Sequence, residues 1–522
     1  MKTLRKNKTL LITLAVLALL FLLAVRGMST KNWVITLLRG LSVGAITFLV
    51  ASGFSLIFGL MDVLNLAHGT FYMIGAYVGW TVAVRPDTAI DALTPVALLA
   101  AGLALISLWG KLLQRLNLPR RISLLWPWAV LLSGALVLIV ILPRYPITTW
   151  DIGSYEISPT NYAFAAGQGQ LVVPEPEQFK GISPALGLGG ILLGGVLLAA
   201  GLAGFAHLRR GSPSGPVVTS EGLPWKAMIV FLTLAVTGIG VYLINTPLTE
   251  YLLGLDNTWL FLIAIAASIV TGVTLGALME STLIRPLYAT PIYQLMLTLG
   301  VSAIGVEIAR TVWGATEFTM PRPSIFNGRG EGCPAESLGD WLAHKCSTVS
   351  ILGGRVRTYN EIFVPILGLV VLVLVWILLR RTRMGMIVRA GVQDREMVQA
   401  LGINVQRVFT LIFALGVGLA ALGGVIGAPT TGLTTTLGES LLLNVLIALA
   451  IGGLTSYPGA AVGSLIVGLL QQFIIKYGQL GIKLPFLAEP FKPTPPLVPA
   501  STVLLMVVIL LVLPHGLFGK KE

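Results

Sequence analysis

Long apolar segments alternate with short polar segments along almost the whole chain. An apolar run of about 20 residues is long enough to cross the hydrocarbon core of a bilayer as an α-helix. Fourteen segments follow this pattern and are predicted as spanning helices: 9–25, 34–60, 63–84, 90–113, 122–143, 184–206, 226–244, 258–284, 291–313, 361–379, 405–428, 440–456, 459–476 and 499–514. The predicted fold class is therefore all-α, a polytopic helical bundle in a membrane.

The composition agrees with a membrane protein. Of the 522 residues, 55% are hydrophobic and 11% are charged, whereas soluble domains carry about 25% charged residues. A net charge of +13 often indicates a nucleic acid partner. Here the Lys and Arg residues lie on short loops between apolar segments, which is typical of a membrane orientation signal. We therefore expect a lipid bilayer and no nucleic acid partner.

Lys and Arg are unevenly distributed between the two sides of the predicted bundle. With a cytoplasmic N terminus, the inner segments hold 20 of the 35 basic residues, including six arginines from Arg380 to Arg407. Most acids fall on outer loops, for example Glu331 and Asp340. Because short cytoplasmic loops are enriched in Lys and Arg, we predict a multi-pass protein of a bacterial inner membrane with both termini cytoplasmic.

The first predicted span has a basic start and an apolar stretch, which also suits a secretory signal peptide. No small-x-small cleavage site follows it in LLAVRGMST. We predict that residues 1–25 stay as a helix, with cleavage as the alternative.

The two cysteines, Cys333 and Cys346, lie in the predicted outer loop 314–360. Outside the cytoplasm, thiols 13 residues apart are able to form a disulfide. We predict that they pair, with two free thiols as the alternative.

Motifs of catalytic and nucleotide-binding sites are absent from the sequence. It contains no GxxxxGK[ST] loop to cradle ATP phosphates and no HExxH zinc motif. The four histidines are scattered, so neither a metal nor a cofactor is expected. An enzyme is not predicted.

The join between the second and third predicted spans, GLMDVLNLAHGTFYMIGAYVGW, is unusually polar. A break in the helical backbone here would be tolerated where it lines a cavity. On that hypothesis Asn65, His68, Gly69 and Tyr72 lie along a substrate pathway. The alternative is a cytoplasmic turn in which His68 caps or packs.

Pro458 and Gly459 interrupt two apolar segments, and a Pro-Gly pair marks a tight turn. They belong either to a re-entrant element that lines the pathway or to a short helical hairpin.

Two Glu–Arg pairs lie near predicted span ends. Glu307 and Arg310 are three residues apart, which predicts a local ion pair. Glu280 and Arg285 bracket the predicted inner end of a helix, where we expect them to be interfacial anchors.

A charged segment is enclosed between the predicted spans 361–379 and 405–428. In QDREMVQALGINVQRVF, Met397 and Leu401 fall on one helix face, and Gly402 is predicted to stop the helix. A short surface helix with an apolar stripe suits docking to a partner. The alternative is a helix that lies on lipid.

Four blocks of sequence resemble the permease subunits of branched-chain amino-acid ABC importers. They are GLMDVLNLAHGTFYMIGAYV (59–78), ESTLIRPLYATPIYQLMLTLGVS (280–302), RTRMGMIVRAGVQDREMVQALGINVQRVF (381–409) and GGLTSYPGAAVGSLIVGLL (452–470). The resemblance implies an assembly with a second permease subunit, two cytoplasmic ATP-binding subunits and an external solute-binding protein. ATP would bind the partner subunits, and this chain would hold no cofactor.

The resemblance also makes residues 389–404 the coupling helix that contacts an ATPase. The residues assigned to that contact are Arg389, Asp394, Glu396, Met397, Leu401, Gly402 and Ile403.

Residues 85–257 have no counterpart in the family blocks. We therefore predict three regions: 1–84 with the LNLAHG block, 85–257 as inserted spans with an outer loop, and 258–522 as the permease core. The expected function is import of branched-chain or other hydrophobic amino acids. Alternatives are a urea or short-amide importer, an ion-coupled carrier using Glu307 or Glu439, and a non-transporting scaffold.

Overall fold

A computed structural model describes residues 2–114, 120–147, 165, 179–209, 225–288, 290–393, 395–400, 402, 404–482 and 489–519. These residues are almost entirely helical, so the all-α prediction is confirmed. The α-helices are α1 Lys2–Arg26, α2 Thr30–Met61, α3 His68–Val84, α4 Pro86–Ala104, α5 Ile106–Gln114, α6 Arg120–Ile141, α7 Pro184–Arg209, α8 Trp225–Leu243, α9 Asn245–Leu253, α10 Asn257–Met279, α11 Pro291–Trp313, α12 Leu338–His344, α13 Val364–Arg381, α14 Arg383–Gln393, α15 Arg395–Ala400, α16 Val405–Thr431, α17 Leu437–Gly452, α18 Tyr457–Leu480 and α19 Leu497–Val512.

Short elements of other types connect some of these helices. An antiparallel hairpin pairs β1 (Thr348–Ile351) with β2 (Gly354–Arg357). Two π-helical turns, Glu280–Ile284 and Thr358–Phe363, adjoin α10 and α13, and 3-10 turns lie at Leu142–Arg144, Arg285–Leu287 and Ser324–Phe326.

Each of the fourteen predicted spans overlaps helical residues of the structure, although 63–84 begins in an irregular segment and 90–113 is divided between α4 and α5. Ten helical segments in the described part of the chain are long and apolar enough to cross a membrane, and three shorter apolar helices accompany them. The protein is therefore a multi-pass membrane protein. Helix α3 has only 17 residues and α17 only 16, fewer than the roughly 20 that a full crossing requires.

The chain divides into two compact units. The first contains Met1–Val84 and Asp256–Glu522, and the second contains the described parts of residues 85–255. In the second unit, α4 carries polar side chains that are buried and paired. Arg85 Nη2 lies 2.6 Å from Asp87 Oδ2, and Asn245 Nδ2 donates to Asp91 Oδ1 at 2.7 Å.

In the first unit, the core is built around α16, whose residues from Phe413 to Ala428 are almost all buried. Glycines allow its neighbours to approach closely. A Cβ on Gly53 of α2 would clash with the carbonyl of Gly416, and one on Gly75 of α3 would clash with Ala421. Small residues at helix crossings allow this backbone approach in membrane bundles.

The segment between α11 and α13 is ordered by side-chain contacts. Cys333 and Cys346 form a disulfide, with their Cα atoms 5.6 Å apart. Next to this segment, Asp256 caps α10 by accepting from Thr258 N at 2.8 Å and from the Ser324 hydroxyl. Partial burial favours a raised pKa for Asp256, but the hydrogen bonds from Ser324 and Thr258 outweigh it and hold the pKa below its ordinary value.

Candidate functional site

The backbone between α2 and α3 is not helical. Met61 ends α2, Asp62 follows in the left-handed conformation with φ 57°, and residues 62–67 form an irregular segment before His68 begins α3. Irregular backbone at membrane depth is tolerated only where protein buries it or a cavity is lined. The position of this break along the axis of α2 therefore decides whether its backbone needs such protection.

His68 shows how far the break reaches. Its Nε2 lies 3.1 Å from the carbonyl oxygen of Val50, and its ring meets Phe54 edge-on with centroids 5.7 Å apart. Val50 precedes Met61 by eleven residues, about 16 Å along the axis of α2. The irregular segment thus returns the chain to the middle of α2 before α3 starts, and α3 begins well inside the bundle.

The side chains of this break are enclosed. Asn65 is 1% exposed and His68 is 0% exposed. Asn65 Oδ1 accepts from Ala67 N at 3.1 Å, while Asn65 Nδ2 and His68 Nδ1 have no hydrogen-bond partner among the described residues. In this conformation His68 packs against Phe54 and lies within hydrogen-bond distance of the Val50 carbonyl.

Polar residues of α11 cover the break, and the sequence analysis did not identify them. Leu66 N donates to the hydroxyl of Thr298 at 3.3 Å, and the hydroxyls of Thr70 and Ser302 are 2.7 Å apart. Thr298 and Ser302 lie four residues apart in α11, a spacing that places both on one face of the helix and that could have indicated them from the sequence. Through these contacts two of the family-like blocks meet.

Gly69 and Tyr72 connect the break to α16 and α17. Gly69 packs directly on Gly438 at the start of α17. Tyr72 is 1% exposed, and its hydroxyl lies beside Gly427 of α16, where a Cβ would be only 2.5 Å away. Asn65, His68, Gly69 and Tyr72 therefore belong to one neighbourhood formed by α2, α3, α16 and α17.

Pro458 and Gly459 lie elsewhere, in the first turn of α18. Ser456 caps α18 by accepting from Gly459 N at 3.1 Å, and Gly459 packs against Gly452 at the end of α17. Helices α17 and α18 thus follow one another through a short connection at residues 453–456. Residues near the C terminus bond to the end of α17, where Leu517 N donates to Ile451 O and Phe518 N donates to Gly452 O.

In the charged segment between α13 and α16, the described residues are helical over Arg383–Gln393 (α14) and Arg395–Ala400 (α15). Arg389 is exposed on α14 and Met397 is 65% exposed on α15. Gly402 has φ +80° and no atom within 4 Å of its Cβ position. Asp394, Leu401, Ile403 and the side chain of Glu396 lie outside the described residues.

Glu280 is not an interfacial anchor, so that expectation was wrong. Its side chain is 0% exposed, and it accepts from Arg285 Nη2 at 2.8 Å and from the Tyr288 hydroxyl at 2.6 Å. The Thr410 hydroxyl of α16 is a third donor. By contrast, the predicted pair of Glu307 and Arg310 is confirmed at 2.7 Å, with both side chains exposed.

A polar cavity of about 320 Å³ lies at the far end of α16. Its two walls, residues 317–320 and 428–434, are joined by a pair of hydrogen bonds between Phe318 and Leu433. Within the described part of the chain, no three His, Cys, Asp or Glu side chains meet as metal ligands would.

The family model described as the permease component of branched-chain amino acid transport systems matches residues 36–237 and 190–513. The chain belongs to this family. The resemblance inferred from the four sequence blocks is confirmed.

Individual relatives agree with the family model. The chain is 26% identical over 274 residues to the high-affinity branched-chain amino acid transport system permease protein LivH of Salmonella typhimurium, covering 52% of this chain and 79% of that protein. It is 27% identical over 249 residues to the corresponding protein BraD of Pseudomonas aeruginosa, and the match covers 47% of this chain and 76% of that protein. The fructose import permease protein FruF of Bifidobacterium longum is 23% identical over 287 residues, and the match covers 51% of this chain and 72% of that protein. No solved structure matches the chain significantly.

Proposed function

We propose that this chain is a permease subunit of an importer that carries branched-chain or other hydrophobic amino acids inward, driven by ATP hydrolysis on partner subunits. The family match over residues 36–513 is the observation that carries the proposal. The lack of a phosphate-binding loop in the sequence supports a separate ATP-binding chain.

The segment of α14 and α15 is the proposed contact with the ATP-binding subunits. It lies between two apolar helices, on the side that carries most of the Lys and Arg residues. Arg389 and Met397 both project outward there. In the proposed assembly a second permease subunit, two ATP-binding subunits and an external solute-binding protein join this chain in a bacterial inner membrane, with both termini cytoplasmic.

The break before α3 supports a pathway that changes conformation. Two helices, α3 and α17, start inside the bundle and meet at Gly69 and Gly438. Helices interrupted at this depth are typical of transporters. We propose that closure of the ATPase dimer displaces α14 and α15, and that α13 and α16 then tilt around this contact. Such a cycle requires two states that ATP biases by a few kcal/mol.

The direct test is reconstitution of the assembly, purified through a tag on this chain, into liposomes. Uptake of radiolabelled L-leucine should require ATP and should persist in the presence of a protonophore. The variant Glu307→Gln should transport normally, because Glu307 forms an exposed local pair with Arg310. Uptake that needs an ion gradient and is lost in Glu307→Gln would favour an ion-coupled carrier.

The similarity to a fructose import permease motivates a second candidate cargo. Competition with unlabelled leucine, fructose and urea separates the cargo classes in the same liposomes. Inhibition by leucine alone supports amino-acid import, whereas inhibition by fructose or urea would replace it.

A further inference from the structure

We infer that Glu280 is a positioning residue that links the end of α10 to the start of α16. Because of this link, the two helices move together when the segment of α14 and α15 moves. The inference rests on the proposed function, because it describes how movement at α14 and α15 spreads through the permease.

The Glu280 carboxylate is fully buried and satisfied by three donors. Arg285 and Tyr288 reach it from the 3-10 turn and the residue that follows, at 2.8 and 2.6 Å, and Thr410 reaches it from α16. Arg285 Nη2 also donates to the Thr410 hydroxyl at 2.7 Å. A buried charge persists only with such complete pairing. Thr410 is the one member of this cluster that α16 supplies.

The place of Thr410 in the chain makes the cluster relevant to coupling. It lies six residues after Asn404, where the segment of α14 and α15 passes into α16. Motion of that segment therefore reaches Thr410 through the backbone of α16. Glu280, in contrast, is 130 residues away in sequence, so α10 can follow only through contacts between the packed helices.

Glycines line part of the seam between α10 and α16. Gly276 faces Ala414 and Val417, and Gly272 faces Ala421. Such contacts allow close approach but are not directional. The polar cluster at Glu280 adds directional hydrogen bonds at one end of the seam. A π-helical turn, a feature frequent at functional sites, begins at Glu280.

The test uses Thr410→Val, which removes the contact from α16 and leaves the pair of Glu280 and Arg285 in place. Thr282→Val is the matched control, because the Thr282 hydroxyl is exposed and bonds to Leu278 O of its own helix. Both variants are assayed in the reconstituted assembly for ATP hydrolysis and for uptake of radiolabelled L-leucine. We expect Thr410→Val to lower uptake per ATP about ten-fold with hydrolysis near the wild-type rate, and Thr410→Ser to restore it.

Tyr288→Phe removes a different donor from Glu280 and should lower uptake per ATP in the same direction, which keeps the inference testable if Thr410→Val does not assemble. Wild-type uptake per ATP in both variants would overturn the inference. A parallel loss of hydrolysis and uptake would also overturn it, since that indicates a purely structural role. Absence of ATP-dependent uptake in the wild-type assembly would instead contradict the proposed function.

Discussion

Gly69 and Gly438 lie backbone against backbone where α3 and α17 begin, so that a Cβ on either residue would overlap the carbonyl of the other. Both glycines are buried. This contact joins the first turns of two short helices, of 17 and 16 residues.

Replacement of Gly69 with Ala should therefore destabilise the protein. Adding a methyl group to a filled site typically lowers the free energy of unfolding by about 1–3 kcal/mol. Here the methyl group would meet the backbone of Gly438, which cannot rotate aside as a side chain can. Gly300→Ala is the control, because Gly300 lies in α11 with nothing within 4 Å of its Cβ position. Thermal unfolding of the detergent-solubilised chain should show a lower midpoint for Gly69→Ala only. Equal midpoints for the two variants would argue against the close contact.

His68 should matter for packing more than for chemistry. His68→Gln keeps a donor near the Val50 carbonyl and should retain uptake within about three-fold of wild type. His68→Leu removes that donor and should lower the free energy of unfolding by about 1–3 kcal/mol. Leucine uptake and thermal unfolding of both variants check this. If His68→Gln abolishes uptake while the unfolding midpoint stays unchanged, His68 acts directly on the substrate.

Gly402→Val should abolish uptake while leaving membrane insertion intact. Gly402 has φ +80° in the segment between α15 and α16, and a β-branched residue is strained in that conformation. Gly353→Val is the matched control, since Gly353 has φ +75° and open surroundings in the β1–β2 turn. Both variants should reach the membrane in wild-type amounts, as measured by immunoblotting of membrane fractions. Normal uptake by Gly402→Val would refute the coupling role of this segment.

The cap at Asp256 should make the start of α10 sensitive to acid. Hydrogen bonds from Ser324 and Thr258 lower the pKa of Asp256 in the folded protein. A lowered carboxyl pKa adds stability above the unfolded value of 3.8, and that stability is lost as the pH falls through the folded value. Asp256→Ala should therefore unfold more easily than wild type at pH 7, and the difference should narrow towards pH 3. An N-cap deletion typically costs about 1 kcal/mol. A pH-independent difference would contradict this explanation.

Much of the fold was predictable because lipid imposes a simple rule. Every backbone group in the hydrocarbon must be bonded within the protein, so apolar runs of sufficient length become helices. Each of the fourteen spans that the rule predicts overlaps helical residues of the structure, including those of the short α3 and α17. It did not predict that these two helices begin inside the bundle, because hydropathy measures the length of a run and not its depth.

The candidate site was predictable in its residue types but not in its geometry. Asn65 and His68 stood out as polar residues in an apolar region, yet only the fold places His68 against Val50 and covers the break with Thr298. The sequence predicts Glu280 and Arg285 as interfacial anchors, because Thr410, the third donor to Glu280, is 130 residues further along the chain and gives no local signal.

The sequence by itself determined the helical class, the predicted orientation and the family, because hydropathy, loop charge and local motifs are carried by neighbouring residues. Only the tertiary structure decided where the helices break and which polar groups satisfy one another. Those features depend on side chains from distant segments that meet when the helices pack, and close glycine contacts such as Gly69 with Gly438 set how near they come.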